Sequence, residues 1–72
     1  MKIIIYEPVL KPTALSNSKD WFTVNGAKSE DRDEAIRLAS QHCAVRDGRA
    51  EIGRIDTFEV DKDDYYRKSY YW

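Results

Sequence analysis

The spacing of apolar residues changes along this chain, and each change marks an element. The stretch "KIIIYEPV" is rich in β-branched residues and reaches a proline, so it reads as a strand from about Lys2 to Glu7. Ile3, Ile4 and Ile5 are consecutive. Both faces of this strand are therefore apolar, which suits a central place in a sheet, or a strand with a helix on one side and the tail on the other. The next stretch, "PVLKPTALSNSKD" from Pro8 to Asp20, carries two prolines and a Ser-Asn-Ser cluster and reads as a loop. Such a loop is long for a hairpin connection. It is either a surface connection pinned by Val9, Leu10 and Leu15 or a binding loop.

Strict alternation returns in "DWFTVNGAK", a second strand that ends at an Asn-Gly turn. Phe22 and Val24 fall on its core side, and Trp21 covers the edge of the other face. Helical spacing then takes over in "SEDRDEAIRLASQHCAVRDG". Asp31 followed by Glu34 forms a capping-box-like start with an acidic first turn, and Ser29 is the alternative cap. At ~100° per residue, Leu38, His42, Ala35, Ala39, Cys43 and Ile36 share an arc of about 160°. Gly48 after Asp47 stops the helix. The alanines in the middle of that stripe, Ala35 and Ala39, let the helix lie close to a sheet.

"RAEIGRIDTFEV" contains a third strand. Its alternation breaks between Ile52 and Ile55, and Gly53 sits where the parity shifts, which a bulge at Gly53 explains. A turn near Asp56-Thr57, with "FEV" as a further short strand, is the competing reading. The tail "DKDDYYRKSYYW" fits two descriptions. As a strand, it puts Tyr66, Tyr70 and Trp72 on one side and Tyr65 and Tyr71 on the other. As a helix capped by Asp61, it sets Tyr66 and Tyr70 four apart. The strand preference of tyrosine favours the first. Residues 1–72 thus read as a single α+β domain: a small, mostly antiparallel sheet of three to four strands with one helix packed on it.

Length limits what such a domain can do. A chain of 72 residues buries only about 60% of its unfolded surface. Its seventeen large apolar residues outside the tail suffice for one small core. A deep ligand pocket of several hundred Å³ beside that core is not expected, which argues against an elaborate enzyme. Charged residues make up 35% of the chain, but the net charge is −1, so the basic excess of a general nucleic-acid binder is missing. One cysteine, Cys43, excludes an internal disulfide and points to a reducing compartment. The apolar start is too short for a signal peptide, and no run approaches a membrane span, so a cytoplasmic location is the expectation.

Candidate chemistry is sparse. One Cys and one His cannot furnish a Cys/His zinc site, and no calcium-loop pattern occurs, so no metal or other cofactor is expected. His42 and Cys43 are neighbours, which on a helix point about 100° apart and make a poor nucleophile–base pair. Both read as structural: His42 at the core edge and Cys43 as a small buried hydrophobe. The three glycines punctuate structure and form no phosphate loop.

The unusual region is the end of the chain. Glu59 to Asp64 carries four acids and one lysine, and the last eight residues hold five aromatics around Arg67 and Lys68. Tyrosine and arginine are typical of interface hot spots. Acids steer association with basic partners. The expected partner-binding residues are therefore Asp61, Asp63, Asp64, Tyr65, Tyr66, Arg67, Tyr70, Tyr71 and Trp72. The expected function is a non-enzymatic protein-binding module, with a homodimer as one form of partner. Stacking of single-stranded nucleic acid on the same aromatics is the alternative, weakened by adjoining acids that repel phosphates.

In general make-up the chain resembles the small phage-encoded inhibitors of host defence, the anti-CRISPR class. The likeness lies in its small size, its acidic clusters "SEDRDE" and "EVDKDD", its aromatic surface and its lack of a catalytic set. That resemblance implies stoichiometric inhibition by binding, through acids set against a basic nucleic-acid channel. It assigns no role to any single residue.

Overall fold

A computed structural model describes residues 1–70, with side chains through residue 67. The elements run β1 (Lys2–Pro12), β2 (Phe22–Thr23), α1 (Arg32–Ser40), α2 (Cys43–Arg46), β3 (Ala50–Asp61) and α3 (Lys62–Tyr70). The fold is α+β. The three strands form one antiparallel sheet in the order β2-β1-β3.

The first strand is longer than its prolines suggest, and the loop that follows is correspondingly shorter, spanning residues 13–21. The reason lies in which way the backbone points. Tyr6 exchanges both backbone hydrogen bonds with Ser29, so its polar groups face the β2 side. Pro8, two residues on, has its nitrogen on the same side. There the neighbouring chain leaves the sheet between Ser29 and Thr23, so a missing N–H costs no ladder bond. The centre of β1 is covered on both faces: Ile5, Pro8, Val9 and Leu10 are all buried.

Leu10 anchors the main core with Ala27, Ala39, Ala44 and Ala50, flanked by Phe22, Val24, Leu38, Val45 and Ile52. Six of these ten residues are alanine or valine, so α1 and α2 approach the sheet closely. Phe22 and Val24 lie on the core side as expected. The Asn25-Gly26 turn is present, closed by Ala27 N–H to Val24 O at 3.1 Å, with Gly26 at φ +86°.

Asp31 caps α1, its Oδ1 accepting from the backbone N–H groups of Asp33 (2.9 Å) and Glu34 (3.3 Å). Ser29 supplies the other half of the cap: its Oγ takes the N–H of Asp31 at 3.0 Å, the position a capping-box glutamate would occupy. Replacing Asp31 with Ala should lower stability by about 1 kcal/mol, and Asp31→Asn should recover most of it. Urea denaturation of the two variants checks this.

The helix does not run on to Asp47. It breaks after Ser40, whose Oγ bonds back to Ile36 O at 2.7 Å. His42 is extended, and its Nδ1 caps α2 by accepting the N–H of Ala44 at 3.0 Å. Continued straight, the stripe through Ala35 and Ala39 would aim Cys43 and Arg46 inward. The break puts Ala44 in the core and Val45 against it instead. So Cys43, expected to be buried, is exposed. His42 is structural, as a cap with its ring tilted on Phe22 at 5.5 Å between centroids. Gly48, at φ +79° just past the C-cap Asp47, ends the second helix.

In β3 the register slips between Val9 and Leu10, which face Arg54 and Ile52, leaving Gly53 as the extra residue of a bulge. Asp56 and Thr57 pair with Glu7 and Tyr6, so the strand passes straight through the turn proposed there. The tail is a helix, not a strand. β1 offers a partner only as far as Lys2, opposite Asp61. Beyond that point an extended chain has no ladder, while Asp61 satisfies the N–H groups of Asp63 (3.0 Å) and Asp64 (3.4 Å) and starts α3. Among the described residues, no helix is long and apolar enough to cross a membrane.

Candidate partner-binding site

The cap at Asp61 turns the chain back on itself. As a result α3 carries Tyr65 and Tyr66 to the segment that leads into α1. Tyr66 Oη donates to Glu30 Oε2, joining residues that are 36 apart in sequence. Tyr65 meets Tyr66 edge-on, with ring centroids 5.2 Å apart.

Two open surface clefts flank this tyrosine pair. One, of about 430 Å³, is lined by Lys28, Ser29, Glu30, Asp31, Glu34, Tyr65 and Tyr66. The other, of about 320 Å³, is lined by Lys2, Glu59, Val60, Asp61, Asp64 and Tyr65. Clefts of this size were not expected of so short a chain. They arise because α3 folds over the outside of the sheet, not because the core is hollow. Tyr65 belongs to both.

Each cleft is edged by three carboxylates and one lysine. Part of that charge is already engaged. Asp31 and Asp61 are helix caps, Lys28 Nζ lies 3.5 Å from Glu7, and Glu34 and Asp64 make loose pairs with Arg37 (3.9 Å) and Arg67 (3.8 Å). Pairs at such distances between exposed side chains contribute little and are easily exchanged. Glu59 forms no ion pair among the described residues.

The electrostatics follow the hydrogen bonds. The backbone N–H of Asp64 holds the Asp61 carboxyl below its usual value of 3.8, with the nearby amino terminus acting in the same direction against some desolvation. The bond to Glu30 raises Tyr66 above its usual value near 10, because the neutral hydroxyl donates and a phenolate would face a carboxylate. Its folded value exceeds the unfolded one. The bond's stabilisation is therefore complete below about pH 10 and lost as pH rises through the raised value. A Glu30→Gln variant should move the Tyr66 titration back down, as phenolate absorbance would reveal. If the titration is unaltered by Glu30→Gln, the bond is not the cause.

The structure thus distributes the expected binding residues unevenly. Tyr65, Tyr66 and Asp64 line the clefts, and Arg67 stands beside them through its pair with Asp64. Asp61 lines one cleft but serves first as a cap, and Asp63 is exposed in the first turn of α3 without lining either. Tyr70 ends α3, with its side chain outside the described residues, as are Tyr71 and Trp72. The division of the aromatics by strand alternation does not apply to a helix. Glu30, Glu34 and Lys28 join the site from a distant stretch, and the acids of "SEDRDE" had a complete explanation as a helix start. Among the described residues, no group of His, Cys, Asp and Glu is placed to hold a metal ion. No protein-family model matches the sequence, and no match is found among curated proteins or solved structures.

Proposed function

We propose that this protein is a non-enzymatic protein-binding module that presents its Tyr65–Tyr66 face to a basic partner. The observation that carries the reading is the position of Tyr65 between two clefts, each edged by three carboxylates and a single lysine. An arginine or lysine side chain of a partner suits such a place. Its charge meets a carboxylate, and its stem or guanidinium lies on a tyrosine ring. The clefts are too open to enclose a small molecule, but two adjacent basic side chains could enter one each.

A protein partner is favoured over nucleic acid by the charge of the clefts. Each is edged by three carboxylates and one lysine, and the carboxylates would repel phosphates. On its resemblance in make-up to phage-encoded inhibitors, the basic partner would be a host complex that handles nucleic acid, blocked by occupation of its phosphate-binding surface.

Titration with a short arginine-rich peptide, followed by amide chemical shifts, tests the reading. Shifts should concentrate at Glu30, Glu34, Asp64, Tyr65 and Tyr66 and weaken with added salt. They should fall sharply in the double variant Glu34→Gln/Asp64→Asn, which touches one acid per cleft and neither helix cap. Shifts spread evenly over the surface, or unaltered in the double variant, would remove the clefts from consideration. Capture of single-stranded nucleic acid by the same face would favour the alternative reading.

A further inference from the structure

β3 is an edge strand, with no strand beyond it among the described residues. The backbone geometry shows which of its groups are left over. Since Tyr6 turns its polar groups to Ser29, its neighbours Ile5 and Glu7 turn theirs to Phe58 and Asp56. The N–H and C=O groups of Ile55, Thr57 and Glu59 therefore point outward. They have no hydrogen-bond partner among the described residues, and no proline or bulge interrupts them. α3 comes near only the Glu59 end of this edge, where Asp64 and Tyr65 share a cleft with it, and then folds across towards Glu30 on the far side of β1.

We infer that this edge pairs with the same edge of a second copy, antiparallel about a two-fold axis at Thr57. The edge is complementary to itself in that register. Thr57 faces Thr57, and Ile55 faces Glu59 of the second copy, so all three outward residues on each chain find partners for both backbone groups. On the other side of the strand Asp56 faces Phe58 and Arg54 faces Val60, and no like charges stand opposite each other. Phe58, 43% exposed in the single chain, then lies diagonally next to Phe58 of the second copy and to its Arg54. Neighbouring registers are worse. Centring on Asp56 sets two aspartates face to face and brings Glu59 against the Gly53 bulge. Centring on Phe58 leaves Ile55 opposite Asp61, where the strand gives way to α3.

Sedimentation of the full chain tests this, with wild type expected at twice the 8.4 kDa of one copy. Thr57→Pro removes the central outward N–H without touching the β1–β3 ladder, and Thr57→Lys sets two ammonium groups across the axis. Both should sediment as monomers with unaltered circular dichroism. Should Thr57→Pro fail to fold, Thr57→Lys alone decides. In a Cys43→Ser background, Thr57→Cys should cross-link the dimer on oxidation, since directly opposed Cα atoms about 5.5 Å apart lie within disulfide range. A monomeric wild type at every attainable concentration overturns the proposal, as does a dimer that survives Thr57→Lys and fails to cross-link. The double variant Glu34→Gln/Asp64→Asn leaves this edge intact and should remain dimeric, which separates the two interfaces.

Discussion

Replacing Leu10 with Ala should leave the protein folded only marginally, with a denaturation midpoint shifted further than by truncation of any other aliphatic side chain in β1. Leu10 is 0% exposed and is the one large side chain among the fully buried members of the main core, the others being alanines. Its removal opens a cavity that its neighbours cannot close. The fully buried neighbours are alanines with nothing to extend, so closing the cavity would require the flanking Phe22, Leu38 or Ile52 to leave their seats. The cost for such a site is about 3–5 kcal/mol. Typical stability per residue gives a 72-residue domain roughly 4–11 kcal/mol in all. Ile4→Ala is the internal control: Ile4 is in the same strand but 41% exposed, and its truncation should cost less than about 1 kcal/mol. Urea denaturation of the pair decides the matter. Equal losses would mean that the helices are not seated on Leu10.

The parts of this fold that could be read from sequence are those where one local signal acts alone. The Asp31 cap, the inward Ala35 and Ala39, the Asn25-Gly26 turn and the Gly53 bulge belong to that group. The readings that failed are places where two signals compete and distant structure decides. Pro8 argues for a strand end, but its outcome depends on whether a neighbouring strand needs its N–H, and the chain leaves the sheet there, between Ser29 and Thr23, which no local pattern records. The tyrosines of the tail favour a strand, yet a strand needs a partner, and β1 stops at Lys2. The helix break had a readable trace: extending the apolar stripe past Ala39 leads to Arg46, while the apolar Ala44 and Val45 lie off it.

The same distinction governs the candidate site. Tyr65, Tyr66 and the acids before them stand out by composition. Glu30 and Glu34 do not, because an acidic first turn already accounts for them. Their share in the clefts depends on α3 folding back, and that follows from Asp61 acting as a cap. Had "DKDD" been read first as a helix start, the two acidic stretches would have been expected on one surface. The decisive residue is thus a single aspartate with two roles, which is why charge removal in the clefts is better tested at Glu34 and Asp64 than at Asp61.

Gly53→Ala should disturb the face of the sheet opposite the helices and cost about 1–3 kcal/mol. Gly53 does not need a left-handed backbone: among the glycines only Gly26 and Gly48 have positive φ. What it needs is space. A Cβ at this position would lie 2.6 and 3.0 Å from atoms of the Trp21 ring and 2.8 Å from Lys11 Cβ. Lys11 Cβ is tied to the central strand and cannot retreat, so Trp21 must. Its ring, 46% exposed, would lose both its seat on the bulge and the Arg54 guanidinium 5.5 Å from its centroid. In a Trp72→Phe background, Trp21 is the only tryptophan, and its fluorescence should shift towards that of a solvated indole on Gly53→Ala. A double-mutant cycle with Trp21→Ala separates the two obstacles. Without the indole the penalty of Gly53→Ala should fall but not vanish, since Lys11 Cβ remains in place. An unchanged Trp21 spectrum, together with unchanged stability, would mean that the bulge does not hold the indole and that Trp21 reaches this face by other contacts.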